Sequence, residues 1–203
     1  MIDLARIFGG GGKSMKIAII TASPNPAGLT AACADAAAQG VKQAGGQIVR
    51  ISLNEVPRVP CQGCKNGWGA CRDEGRCALD EDFNRVAGCL AEVDGLALVT
   101  PVYWGECAEP MKAFLDRLRR CDAQKKEQGR LFGKPALLVA AAGGTGNGAL
   151  TTLEQMQRFC QHVGAKDFDR IGVTRRSKAY MIPAIAQAAA AMIQTCQQEE
   201  KHQ

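Results

Sequence analysis

GLALVTPVYWGECAEPMKAFLDR, residues 95–117, decides how this chain is read. GLALVT (95–100) is a short, continuously apolar run, the pattern of a strand buried on both faces. EPMKAFLDRLRRC (109–121) reads as a helix, so residues 101–108 form a loop at the strand's carboxyl end. The same alternation extends in both directions. Upstream come a strand at 16–21 (KIAIIT), an Ala-rich helix over 29–44 that stops at Gly45 and Gly46, an alternating strand at 47–53, and a helix over 78–93. Asp80, Glu81 and Asp82 suit the positive N-terminal end of that last helix. Downstream come a strand at 135–141, a helix over 149–164 ending at Gly164, a strand at 167–173 and a terminal Ala-rich helix over 179–198. Five short strands alternating with helices, without internal repeats, predict an α/β fold: an open five-stranded parallel sheet covered on both faces. Ligands of such sheets bind beyond the carboxyl ends of the strands, near the switch in strand order.

Three loops lie at that edge, 22–30, 101–108 and 142–149. In the first, Pro24 and Pro26 stiffen the chain, Gly28 allows close backbone approach, and Ser23, Asn25 and Thr30 offer side-chain donors. With a helix N-terminus behind them they form an anion site that needs no cation, or else a plain turn capped by Thr30. The loop matches neither G-x-G-x-x-G nor a P-loop, which disfavours a nucleoside triphosphate. In the second, Tyr103 and Trp104 present aromatic faces able to cover a planar heterocycle, or pack beneath the loop. In the third, Gly143, Gly144, Gly146 and Gly148 fall within six residues, a density expected where backbone must approach a ligand, or where a loop moves.

CQGCKNGWGACRDEGRC (61–77) holds Cys61, Cys64, Cys71 and Cys77, four of the chain's ten cysteines, at spacings x2, x6 and x5. A compact four-cysteine loop suits a [4Fe–4S] cluster, because four thiolates can converge on one small cube. Zinc, a disulfide and free thiols remain open, although zinc ribbons repeat a tighter knuckle. Cys33, Cys89, Cys121, Cys160 and Cys196 fall on helices and read as small buried hydrophobes, and Cys107 as a packed thiol that could instead face a ligand. His162 and His202 are the only histidines, which disfavours a histidine metal site or a Ser-His-Asp constellation.

The order SPNPxGLT, a cysteine-rich loop ending CALDEDF, TPVYWGExxEPMKAFLDR and AAGGTGNG resembles the flavodoxin-like NAD(P)H-dependent FMN reductases, and within them the iron–sulfur flavoproteins, over residues 15–178. The resemblance implies a flavodoxin-like three-layer sandwich and FMN-dependent oxidoreductase activity with NAD(P)H as co-substrate. It implies an FMN-phosphate grip by Ser23, Asn25, Gly28, Leu29 and Thr30. Pro101, Val102, Tyr103, Trp104 and Gly105 would lie along the isoalloxazine, with Tyr103 and Trp104 nearest the chemistry. Gly143, Gly144 and Asn147 would border the pyrimidine edge. Asn25 stands where many relatives carry a basic residue, leaving the phosphate to backbone amides. Iron–sulfur flavoproteins use C-x2-C-x2-C with a fourth cysteine shortly after; here Gly67 occupies the third position, and Cys71 follows later. A non-catalytic flavin/iron–sulfur electron carrier and a cluster-free FMN reductase are the alternative functions.

Of 203 residues 46% are hydrophobic and 22% charged, an ordinary globular mixture, with 25 Lys and Arg against 20 Asp and Glu. The excess of +5 suits anionic partners such as a nicotinamide cofactor or an acidic redox protein, and falls short of a nucleic-acid-binding face. The densest basic stretch, 112–134, reads as a solvated helix face and loop. No run is read as long enough to span a membrane, and the N-terminus lacks a signal peptide's apolar segment, so a reducing cytoplasm is expected. The chain divides into a flexible extension (1–14), an FMN-binding domain (15–178) with a cysteine-rich loop at 57–80, and a C-terminal helix and tail (179–203). The partners expected are a small-molecule or redox-protein electron acceptor and a second copy, as a homodimer or homotetramer.

Overall fold

The computed structural model describes residues 14–57 and 59–201. Nearly all of the expected N-terminal extension, and His202, lie outside the described residues.

The parallel strands are β1 (Lys16–Thr21), β2 (Gln47–Ser52), β3 (Gly95–Tyr103), β5 (Pro135–Ala142) and β6 (Lys166–Thr174), in the order β2-β1-β3-β5-β6. They are the five strands expected. A sixth, β4 (Glu106–Cys107), adds a two-residue antiparallel pairing at the end of β3. The helices are α1 (Leu29–Gln43), α2 (Cys64–Gly67), α3 (Ala70–Asp73), α4 (Glu81–Cys89), α5 (Glu109–Asp122), α6 (Ala149–Val163) and α7 (Lys178–Lys201).

Burial on both faces explains why the central strands β1, β3 and β5 do not alternate, whereas the edge strands β2 and β6 are partly exposed. Ala18 and Ile20 of β1, Leu96 and Leu98 of β3, and Leu138 of β5 pack beneath α4, α5 and α6. Their neighbours Ile17, Ile19, Ala97, Val99, Leu137 and Val139 pack beneath α1 and α7. The result is a three-layer sandwich with one core on each side of the sheet. α1 and α7 pack so closely that a Cβ on Gly40 would collide with the Ala186 carbonyl.

Several boundaries shift by one to three residues, and two of the shifts have a local cause. The helix expected over 78–93 begins at Glu81, because Asp80 turns its side chain back to accept from the Phe83 amide at 2.9 Å, and it tightens into a 3-10 turn at Leu90–Glu92. β3 runs three residues past its expected end because Val102 and Tyr103 find ladder partners in Cys107 and Glu106. The expectation that no segment could span a membrane is also corrected. Within α7, Lys178–Glu199 is long and apolar enough to do so, by length and composition only. Its Ile185, Ala189, Met192 and Ile193 are nonetheless packed in the α1-side core.

Candidate functional site

The strand order reverses between β1 and β3, and at that point the two strands end at different heights. Thr21, the last residue of β1, pairs with Val99, whereas β3 continues to Tyr103. On its other side Pro101 pairs with Ala141 of β5. The first and third loops therefore leave the sheet on either side of a projecting β3, at the position where doubly wound sheets bind ligands.

Loop one folds on itself. The Asn25 amide donates to Ser23 Oγ at 3.2 Å, and Asn25 Oδ1 accepts from the Ala27 amide at 3.0 Å. The N-cap of α1 is Gly28 rather than Thr30, and Thr30 is buried. Gly28 has no side chain to satisfy the first turn, and no acidic residue lies there. The opening amides of α1 are thus left for an anion. Leu29 is half-buried, and Ser23 also borders a cleft with Thr21, Arg50, Ser52 and Asn54.

Loop two is a β-hairpin. Tyr103 pairs with Glu106, and the two residues between them, Trp104 (φ +54°) and Gly105 (φ +85°), both lie in the left-handed region, as a type I′ turn requires. Gly meets this freely, whereas a tryptophan seldom adopts it. The hairpin is pinned to α6: Thr151 Oγ1 donates to the Gly105 carbonyl at 2.5 Å, and the Cys107 amide to Gln155 Oε1 at 2.9 Å. Thr151 and Gln155 were not among the expected site residues, since only the packing of α6 brings them here. Trp104 is fully exposed (104%) and Tyr103 nearly half (46%), flanking a cleft bordered by Glu106, Glu109 and Lys112. Pro101 and Val102 are half-buried beneath them.

Loop three is exposed at Gly143, Gly144 and Asn147, and a Cβ on Gly144 would meet nothing within 4 Å. It is anchored at its ends, where Gly146 abuts Thr174 Cγ2 and Gly148 abuts Gly105. The structure thus brings loops two and three into contact, with loop one across β3. An uncapped helix start, accessible glycine backbone and exposed aromatics suit the phosphate and ring of FMN.

The cysteine loop presents a different geometry. Cys61, Cys64, Cys71 and Cys77 all line one cavity of about 710 Å³, with Trp68, Arg72, Arg117 and Arg120 in its wall. Among the described residues, however, no three His, Cys, Asp or Glu side chains converge as metal ligands would. The donor set suits a thiolate-bound cluster; its arrangement here does not. The backbone turns through left-handed conformations at Gly63, Lys65, Asn66 and Gly67.

The basic stretch after residue 112 is not simply a solvated face, because four of its cations hold the backbone of this loop. Arg117 donates to the Val59 carbonyl, and Arg120 to that of Gly67. Lys125 donates to the Asp73 carbonyl at 2.6 Å and Arg130 to that of Gly75 at 2.7 Å. Arg117 also pairs with buried Asp80, and Arg130 with buried Asp122 at 2.9 Å. The guanidiniums of Arg72 and Arg120 stand over Trp68, 5.8 and 5.1 Å from its ring centre. The far end is fixed by Asn84, which exchanges two hydrogen bonds with the Cys77 backbone at 2.8 and 2.7 Å.

Cys33, Cys107, Cys121 and Cys160 are buried, and burial pushes the Cys33 thiol up to about 11 and the other three up to about 12. Cys107 is therefore a protonated packing thiol. Cys89 is exposed, against the expectation of a core residue, because the buried stripe of its helix runs through Phe83, Ala87 and Leu90 and leaves it on another face; Cys196 is half-buried and packs against the α1-side core.

The NADPH-dependent FMN reductase family profile matches residues 15–177. Over 145 residues the chain is 29% identical to an iron–sulfur flavoprotein of Methanocaldococcus jannaschii, spanning 71% of each protein. It is 30% identical over 103 residues to one of Methanosarcina thermophila, spanning 51% of this chain and about half (52%) of that one. Its fold matches that of the NAD(P)H:quinone oxidoreductase from Methanothermobacter marburgensis, with TM-score 0.70 and 18% identity, covering 89% of this chain and 96% of the other. With the parallel order, the three edge loops and a match over most of its length, this chain belongs to the NADPH-dependent FMN reductase family.

Proposed function

We propose that the protein is an FMN-dependent oxidoreductase that takes two electrons from NAD(P)H and passes them to a small-molecule or redox-protein acceptor. The observation carrying this reading is the uncapped start of α1 at the switch point, facing the hairpin and the glycine loop across β3. FMN, when bound, supplies hydride acceptance and the storage of two electrons. The chain's own residues supply the rest. The first-turn amides of α1, with Ser23 and Asn25, hold the phosphate; Gly143, Gly144 and Asn147 admit the ring edge. Tyr103 and Trp104 border the cleft in which donor and acceptor are positioned. Titration of the purified protein with FMN, followed by stopped-flow reduction with NADPH and NADH, tests this reading. Saturable FMN binding and reduction within seconds are expected; absence of FMN binding overturns it.

The finer reading is that Cys61, Cys64, Cys71 and Cys77 hold a [4Fe–4S] cluster. It is supported by their shared cavity, by the cations in its wall that suit an anionic cluster, and by the names of the similar iron–sulfur flavoproteins. Because the thiols do not converge as they stand, cluster insertion requires the glycine-rich segment 63–69 to move. Anaerobic iron and acid-labile sulfide analysis tests this beside Cys64→Ala. About four irons per chain, lost in the variant, are expected for this ligand set. Iron-free, FMN-loaded protein leaves a cluster-free reductase. We place the protein in a reducing compartment, consistent with ten free cysteines. We also propose a homodimer in which a second copy covers the exposed Trp104.

A further inference from the structure

At the end of β6 the chain makes a tight, fully bonded turn. The Thr174 amide donates to Ser177 Oγ at 2.9 Å, while Thr174 Oγ1 accepts from the amides of Arg176 at 3.2 Å and Ser177 at 3.1 Å. Ser177 is buried (8% exposed), so this turn is part of the packed structure. The β5–β6 ladder ends with Ala142 opposite Thr174. The next residue on each side is Gly143 on β5 and Arg175 on β6, and Arg175 Nε lies 4.0 Å from the point a Cβ on Gly143 would occupy. No ion pair joins Arg175 to a carboxylate among the described residues, and loop three carries no acidic side chain. The turn thus places the exposed Arg175, unpaired among the described residues, at the glycine edge of the site.

We propose that Arg175 is an electrostatic residue for the FMN of this site, stabilising the extra negative charge the ring carries once reduced. This rests on the FMN-dependent function proposed above. The transfer NAD(P)H + FMN → NAD(P)⁺ + FMNH⁻ moves two electrons and one proton as hydride, breaking the donor's C–H bond and forming N5–H. It leaves one net negative charge on the pyrimidine end of the flavin. A guanidinium beside Gly143 interacts weakly with the neutral oxidised ring and strongly with the reduced one, so it favours the reduced form and raises the potential. A differential of this kind accelerates reduction without tightening the resting complex.

The test uses full-length protein loaded with FMN, comparing wild type with Arg175→Gln and Arg175→Lys. FMN affinity is measured for the oxidised cofactor by fluorescence quenching, and the midpoint potential by equilibration with a reference dye. In Arg175→Gln, oxidised FMN should bind within about twofold of wild type. Reduced FMN should bind about tenfold more weakly, which corresponds to a potential lower by about 30 mV for a two-electron couple. Arg175→Lys should retain most of the wild-type potential, and the wild-type–Gln difference should shrink with added salt because the site is exposed. An unchanged potential overturns the inference, as does equal weakening of oxidised and reduced FMN, or a change confined to the KM for NADPH. Wild-type protein that binds no FMN overturns the proposed function and this inference with it; FMN-binding wild type with an unshifted Gln variant overturns this inference alone.

Discussion

Gly148 and Gly105 meet backbone to backbone: a Cβ on Gly148 would fall inside contact distance of Gly105 Cα and 3.0 Å from its amide nitrogen. This contact joins the glycine loop to the aromatic hairpin, and Gly148 also sits at φ +81°, where an L side chain is strained. Gly148→Ala should therefore cost about 2 kcal/mol of stability, from left-handed strain plus the collision. FMN affinity should fall by about tenfold or more, since both ring-side loops shift. Gly144→Ala, whose Cβ would enter open space, should leave the melting temperature of FMN-free protein unchanged. Thermal melts of both variants check this, and equal losses in the two would refute it.

Trp104 occupies the first position of a type I′ turn at φ +54° with its indole fully exposed. Asparagine adopts that backbone more readily and, before Gly105, makes the preferred Asn-Gly turn. At protein concentrations low enough to keep the chain monomeric, Trp104→Asn should thus stabilise the protein by about 0.5–1 kcal/mol, raising Tm by roughly 2 °C, while NAD(P)H turnover falls. A lower Tm under those conditions would mean that the indole makes a stabilising contact within the fold, and a Tm lowered only at high concentration reports the contact with the second copy proposed above.

Asp122 is 2% exposed, and burial outweighs the nearby Arg130 to push its carboxyl up from 3.8 to about 6. The folded chain then holds this proton more tightly than the unfolded chain does. The resulting stability is fully present below about 3.8 and is lost as pH rises through about 6. Urea denaturation across this range should show a wild-type component that weakens with rising pH and is missing in Asp122→Asn. Parallel profiles for the two proteins would exclude it.

Arg120 both donates to the Gly67 carbonyl and stands over Trp68, so one side chain secures the middle of the cysteine loop. Removing it in Arg120→Ala forfeits a charged hydrogen bond and a cation–π contact, about 2 kcal/mol of local stability. Trypsin cleavage after Lys65 and Arg72 should accelerate at least tenfold under native conditions. Unchanged cleavage would show that Arg117, Lys125 and Arg130 suffice.

The cysteines should divide sharply in reactivity. With metal-free, native protein at pH 8, an alkylating reagent followed by peptide mass spectrometry should modify exposed Cys61 and Cys89 first. Buried Cys107, Cys121 and Cys160, whose thiols are pushed up to about 12, should react only as the chain opens. Early labelling of Cys107 would reinstate it as a residue facing the site.

Residue type and local period, acting along the chain, determined the five strands, three of them buried, the helices between them and the three loops at the carboxyl edge. A strand covered on both faces must be apolar throughout, and a backbone that approaches a ligand must be glycine-rich, so both features are written in consecutive residues. The identities of the four loop cysteines were equally legible. Only tertiary structure decided the rest, because each remaining relationship joins residues far apart in sequence. Arg117 reaches Val59 across 58 positions, and the Cys107 amide reaches Gln155 across 48. A cation that reads as solvated within its own helix becomes a clasp once α5 packs beside the cysteine loop. The hairpin at Trp104 forms because α6 lies close enough to hold Gly105. Arg175 lies beside Gly143 only because β6 pairs with β5 in a register that ends at Ala142 and Thr174, a consequence of sheet order that no local pattern encodes.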